Sequence, residues 1–266
     1  MLDALAWFFT PEPVLLSQGN GFSLFSGAHL AVLAVCLIAS ALLVVRYRKL
    51  PKGIEWGSRR RHQLLAMAIV PLMFLLSRNI ELIALGLYAN IFWPLHICNF
   101  SEYLSLAYAL HPQGRGGRHL GNLLFCWGLS GGIGALLFPG WSYCPILSYV
   151  SVSGFVEHTL LMTIVLCVLA GHDLAPDIKG FWLPGVCAIG GGLFFRWFNS
   201  IFDTNFFFVT RPGDAGAPFA LVAGIFGNPG YLVPYFLIVV GVWFLMYGIW
   251  WLASGRHLAR GTSQRG

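Results

Sequence analysis

Charge is what this sequence has least of. Charged residues make up 10% of 266, where soluble domains run near a quarter, while hydrophobic residues reach 57% and mean hydropathy is +0.72. A soluble globular domain is excluded, and the chain reads as a polytopic membrane protein. Other absences narrow it further. The run Met1 to Phe9 lacks the positive flank and small-residue cleavage site of a signal peptide, so it reads as a short interfacial helix, with the first span as its own insertion signal. No Cys-x-x-Cys-His or His-Glu-x-x-His signature is present, which argues against haem or zinc on His29, His96 or His158; no metal and no cofactor is expected. The glycine runs Gly128 to Gly132 and Gly190 to Gly192 have no following Lys-Ser/Thr and are helix-contact or bend elements, not phosphate loops. Cys36, Cys126, Cys167 and Cys187 sit in apolar runs and Cys144 has no loop partner, so no disulfide framework is implied. Internal repeats are not evident, which disfavours inverted-repeat transporter folds.

Long apolar runs are what the sequence does have. Seven stretches can each cross about 30 Å of hydrocarbon as a helix: Gly27 to Tyr47, Leu64 to Leu87, Ile91 to Leu110, Leu120 to Phe138, Leu147 to Ala170, Phe181 to Phe202 and Tyr231 to Leu252. The expectation is an all-α, seven-transmembrane-helix bundle forming a single domain over 1–266, with 1–26 an outer interfacial segment. Arg46, Arg48, Lys49, Lys52 and Arg59 to Arg61 follow the first span, Arg115 and Arg118 the third, Lys179 the fifth, and Arg256, Arg260 and Arg265 the seventh. The other side holds Arg211, with Asp3 and Glu12. The positive-inside rule puts the N-terminus outside and the C-terminus in the cytoplasm. The net charge of +6 is therefore mostly topological, and no nucleic-acid partner is implied. The outer stretch 204–230 is longer than an ordinary connection and is placed to cover a cavity.

Ionisable groups in hydrocarbon mark sites or pathways, and here they gather toward the outer half. The second span carries Arg78, Asn79 and Glu81; the third His96, Cys98, Asn99 and Glu102; the fifth Glu157 and His158; the sixth Arg196, Asn199, Ser200 and Asp203; and His29 opens the first. The sixth-span set recurs at i, i+3, i+4 and i+7, one stripe that should face the bundle interior. Arg78 with Glu81 and Arg196 with Asp203 read equally as ion pairs that fix helix packing or as supports of a site. Cys98 shares a face with Ser101 and Glu102, whereas His96 lies on another side of that helix. A base for Cys98 should therefore come from another helix, with His158 at similar depth. Cys98, His158 and His96 are the catalytic candidates. Arg78, Glu81, Asn99, Glu102, Glu157, Arg196, Asn199 and Asp203 are the substrate-binding or supporting ones.

Five runs together resemble the YwaF family of bacterial membrane proteins: Arg78-x-x-Glu81, Pro94-Leu95-His96-Ile97-Cys98, Phe155-Val156-Glu157-His158, Asn199 to Phe208, and Gly227-Asn228-Pro229-Gly230-Tyr231. The resemblance covers most of the chain in order. It departs in the last run, where the family often has Gly-Pro-Trp-Pro. It implies a bacterial cytoplasmic membrane and kinship with eukaryotic phospholipid acyltransferases that use an intramembrane cysteine, with Cys98 as acyl acceptor and His158 as base. The expected function is a lipid acyltransferase or hydrolase with an acyl-cysteine intermediate, acting on membrane phospholipid or lysophospholipid. The alternative is a proton-coupled transporter or binding protein whose polar cavity uses Glu81, Glu102, Glu157 and Asp203 against Arg78 and Arg196. The oligomeric state and the role of Glu102 stay open.

Overall fold

The computed structural model describes residues 7–212 and 217–262, excluding the side chains of 217–218 and 256–262. Most of the expected N-terminal interfacial helix, with Asp3, lies outside the described residues, as do Arg265 and the side chains of Arg256 and Arg260. The described residues are helical and contain no strand: α1 Glu12–Gln18, α2 Gly27–Lys49, α3 Arg59–Ala84, α4 Ile97–Leu110, α5 Gly114–Leu124, α6 Ser130–Leu137, α7 Tyr149–Ala170, α8 Trp182–Phe202, α9 Ala217–Phe226 and α10 Leu232–Thr262. A π-turn, Phe125–Leu129, joins α5 and α6 into one continuous rod.

Six helical stretches among the described residues are long and apolar enough to cross a membrane: Gly27–Lys49, Arg59–Ala84, Gly114–Leu137, Tyr149–Ala170, Ile178–Phe202 and Leu232–Gly255. The expected third span, Ile91 to Leu110, is different. A 3-10 turn at Asn90–Phe92 leads into non-helical backbone at Trp93, with φ −56° and ψ 137°, and the helix begins only at Ile97. Pro94 is the reason, since it has no N–H to give and its ring pushes the preceding residue out of the helical region. The remaining helix has 14 residues, about 21 Å at 1.5 Å per residue, short of the ~30 Å core.

Other boundaries move for local reasons. The Ser58 hydroxyl accepts from the Arg61 amide and caps α3, so that helix starts at Arg59 rather than at the apolar run from Leu64. Ser26 and Ser148 cap α2 and α7 likewise. The stretch 204–230 is not one loop, because it contains a 3-10 turn at Phe206–Phe208 and the apolar helix α9.

α7 is the centre of the bundle. In it 67% of the spanning residues are buried, against 17% in Gly27–Lys49 and in Leu232–Gly255, which face outward. It packs against α2, α3 and α6. Gly132 sets the α6 approach, since a Cβ there would sit 2.9 Å from the His158 carbonyl oxygen. The close contact expected of Gly128 to Gly132 thus falls on Gly132. All six cysteines are free thiols.

At the basic end, α3 and the turn after α7 are tied by a buried ion pair that the positive-inside count hides. Arg60 Nη1 lies 2.8 Å from Asp173 Oδ2 and donates to the Gly171 carbonyl at 3.0 Å. The Tyr47 hydroxyl donates to the same carboxylate at 2.8 Å, and the guanidinium lies 5.0 Å from the Tyr47 ring centroid. Arg61 donates to the Leu110 carbonyl, joining the end of α4 to the start of α3. The two helices therefore run antiparallel.

Candidate functional site

Pro94 places the free end of α4 inside the bundle, and Cys98 is the second residue of that helix. The first amides of a helix have no partner within it, so the main-chain N–H groups of Ile97 and Cys98 are available where the thiol sits. The end is organised by Asn99, whose Oδ1 accepts from the His96 amide at 3.1 Å and whose Nδ2 faces Glu102 Oε2 at 3.5 Å.

Arg78 is the hub on the facing helix. Its guanidinium is within electrostatic reach of Glu12, Glu157, Cys98 and Tyr143, and it also acts on His158 and Glu102. The ion partner of Arg78 is Glu12, Nη1 to Oε2 at 3.8 Å, and not Glu81. Three residues along a helix puts Glu81 one turn nearer its end, where it remains partly exposed, whereas α1 folds back over Arg78. Glu12 also accepts from the Tyr143 hydroxyl. Leu15, fully buried, seats α1 against Cys144 and Val150, and the Phe22 amide donates to the Ser142 carbonyl at 2.8 Å. Burial, and then the Glu12 carboxylate, hold the Tyr143 phenol above the ordinary tyrosine range. The same two causes, in the same order, push the Cys144 thiol up to about 12.

His158 stands on α7 with its ring against Trp141, centroids 5.0 Å apart. Its Nδ1–H donates to the Gly154 carbonyl at 2.8 Å, which leaves Nε2 as the nitrogen able to take a proton. Cys98, Arg78 and Glu157 keep partial exposure, while Glu102 and His158 are buried. No hydrogen bond joins Cys98 to His158 among the described residues.

The other predicted residues form a second, separate polar group. The His96 ring lies 4.9 Å from Phe206 and 5.5 Å from Phe208. Phe100 meets Phe195 and Phe207 on the same side, so α4 and an aromatic layer divide the two groups. Asn199 is spent on the backbone turn after α8: Nδ2 donates to the Phe206 carbonyl at 3.0 Å and Oδ1 accepts from the Phe206 amide at 3.0 Å and from Thr204 Oγ1 at 2.9 Å. That turn carries Phe207 and Phe208 at φ 60° and 55°, a left-handed conformation that disfavours non-glycine residues by roughly 1–2 kcal/mol each. The Tyr231 and Tyr235 hydroxyls hold the two carbonyls at 2.8 and 3.2 Å. The expected interior stripe fails at its far end. Asp203 is the left-handed cap beyond the helix, and it pairs with Arg211 at 2.9 Å rather than with Arg196; Ser200 is exposed. His29 is occupied at both ring nitrogens, by the Phe25 amide and the Leu136 carbonyl.

Glu12, Tyr143 and Trp141 were not legible as site residues. The one hint was that Glu12 follows Pro11 at a helix start. Among the described residues no group of three or more His, Cys, Asp or Glu side chains is arranged to hold a metal ion.

The fold and this cluster define a polytopic helical membrane protein with a thiol, an imidazole and a guanidinium gathered inside its bundle. A sequence model of the TMEM164 family matches residues 24–247. The chain belongs to the TMEM164 family. No curated protein and no solved structure matches it.

Proposed function

We propose that the protein is a membrane-embedded lipid acyltransferase or lipid hydrolase that works through an acyl group carried on Cys98. The observation that supports this reading best is the position of Arg78, within electrostatic reach of both Cys98 and His158 at the free end of α4. The resemblance to the YwaF family points the same way. In this reading His158 Nε2 takes the Cys98 proton and the thiolate sulfur attacks an ester carbonyl carbon of a phospholipid. The helix-end amides of Ile97 and Cys98 donate to the developing oxyanion. Collapse breaks the ester C–O bond, and the departing glycerol oxygen takes the proton from His158. A lysophospholipid hydroxyl or water, deprotonated in turn by His158, attacks the thioester and returns the thiol. Arg78, released from Glu12, holds the headgroup phosphate. Arg196 and Asn199 support the fold on the other side of α4.

The topology that goes with this reading has the N-terminus outside and the C-terminus in the cytoplasm, in a bacterial cytoplasmic membrane. α4 and the extended residues before it make the seventh crossing, which carries Cys98 in the outer half. Incubation of purified protein with acyl-labelled phospholipid, followed by peptide mass spectrometry, tests the chemistry. An acyl adduct on Cys98 that is absent in Cys98→Ala is expected, and turnover unaltered in Cys98→Ala overturns it.

A second reading rests on the same cluster, because Glu12, Glu102 and Glu157 face one cation. A proton-coupled transporter would use that surplus of carboxyls. Flux into liposomes that requires Glu102 and survives Cys98→Ala would favour it.

A further inference from the structure

α1 is too short to stand alone. Its seven residues fall below the roughly 12–15 that hold an isolated helix in water, so packing keeps it in place. Leu15 is its one buried side chain, seated with Cys144 and Val150, while Val14, Leu16, Ser17 and Gln18 are exposed. The helix ends at Gly19 in the left-handed conformation, φ 65°, where a Cβ would meet nothing within 4 Å. Just beyond, the chain is held hard. A Cβ on Gly21 would lie 2.3 Å from the Ser142 carbonyl oxygen, and the Phe22 amide donates to that same oxygen at 2.8 Å. A free joint at Gly19 and a fixed point at Gly21 and Phe22 make α1 an arm anchored at one end.

The charge carried by this arm lies on Arg78, and the fit is poor. A guanidinium and a carboxylate in a good pair meet at about 2.7–2.9 Å. Here Nη1 stands 3.8 Å from Glu12 Oε2, and both that oxygen and Arg78 Nε are buried without a hydrogen-bond partner. The other oxygen of the carboxylate is taken by the Tyr143 hydroxyl. A phosphate offers the guanidinium fork more oxygens than Glu12 leaves free. We propose that α1 is an autoinhibitory strap: Glu12 occupies the place of a phospholipid phosphate on Arg78, and the phosphate opens the strap by displacing it. The strap rests on the acyl-cysteine reading for the use of the opened site, Arg78 being the cation that acts electrostatically on Cys98 and His158.

The test uses full-length protein in neutral detergent, with phosphatidylglycerol or a diacylglycerol of the same chains added. A nonspecific protease reads the position of α1, and the Cys98→Ala background keeps thiol chemistry out of that measurement. Phosphatidylglycerol should speed cleavage within 7–20 about tenfold, the scale of one charged hydrogen bond, and diacylglycerol should leave it unchanged. Glu12→Gln, which removes the charge and keeps an oxygen for the Tyr143 hydroxyl, should be cleaved fast from the start and respond little to lipid. With Cys98 in place, Glu12→Gln should form the acyl adduct faster than the parent at limiting phospholipid, again about tenfold. Leu15→Ala, which loosens the strap without touching a charge, should act in the same direction in both measurements, and it decides should Glu12→Gln not fold. Cleavage indifferent to phosphatidylglycerol, cleavage hastened equally by diacylglycerol, or an adduct that forms in the parent and no faster in Glu12→Gln would overturn the proposal. Absence of adduct from the parent and Glu12→Gln alike would instead remove the acyl-cysteine reading, and the cleavage result, which needs no thiol, would decide the strap.

Discussion

The Arg78 guanidinium meets the Glu12 carboxylate across 3.8 Å, so a residue of the N-terminal segment covers a cation that acts electrostatically on Cys98. The contact has the chemistry of a substrate contact, an anion on a guanidinium, but it is supplied by the chain itself. An anionic headgroup and Glu12 would compete for the same donors. Glu12→Gln should therefore loosen α1, seen as faster proteolysis within 7–26, while leaving the transmembrane helices intact. Protection unchanged from the parent would show that Leu15 and the Phe22 amide hold the segment without the ion pair.

Removal of the thiol or the base should separate two effects. Cys98→Ser is expected to abolish the acyl adduct. His158→Gln should slow its formation by roughly 10²–10⁴-fold, the usual contribution of a general base, with the folded yield preserved. Adduct formation at the parental rate in His158→Gln would remove His158 from the chemistry.

Asn199 offers the contrary expectation. Its amide satisfies a turn that carries two phenylalanines at positive φ, so Asn199→Ala leaves buried main-chain groups unpaired at about 1–3 kcal/mol. Thermal unfolding in detergent should shift downward, and adduct formation per folded molecule should stay at the parental level. A variant of normal stability with no adduct would move Asn199 back to the reacting centre.

The Arg60 and Asp173 pair should be the most sensitive point of the basic end. Breaking a buried ion pair from one side leaves an uncompensated charge, at roughly 3–5 kcal/mol. Asp173→Asn should reduce folded yield sharply, and Tyr47→Phe, which removes only one hydrogen bond to that carboxylate, much less. Equal losses, measured by size-exclusion recovery, would show that the ion pair is not what matters.

Two loop groups carry a pH prediction. Tyr143 is held above its ordinary range by burial and by Glu12, so it keeps its proton in the folded protein when an unfolded tyrosine would lose it. Its contribution is intact below about pH 10 and is lost as pH rises beyond it. Docking of α1, read by proteolysis, should weaken first in that range, and Tyr143→Phe should remove the dependence. Cys144, pushed up to about 12, stays a thiol at neutral pH, and alkylation of native protein should bypass it. Rapid modification of Cys144 at pH 8 would contradict the burial of that loop.

Composition and run length alone were enough to determine a helical membrane protein, because hydrocarbon leaves a backbone few ways to satisfy itself and the apolar stretches are too long for strands. Spacing on a single helix was also legible: Cys98 and Glu102 share a face, and His96 looks the other way. Partners between helices were not. Arg78 with Glu12, Arg60 with Asp173, and Asp203 with Arg211 join residues whose separation in sequence carries no information about their approach. The nearest opposite charge along the chain was the wrong partner for Arg78, since an i, i+3 neighbour gains little and a buried cation is paired by whatever packing brings to it, and Asp203, seven residues beyond Arg196, pairs with Arg211 instead. Pro94 was visible from the start, yet only the folded bundle shows what it does. It keeps the helix from starting before Ile97, and so leaves the first amides of α4 without helical partners at the end that carries Cys98.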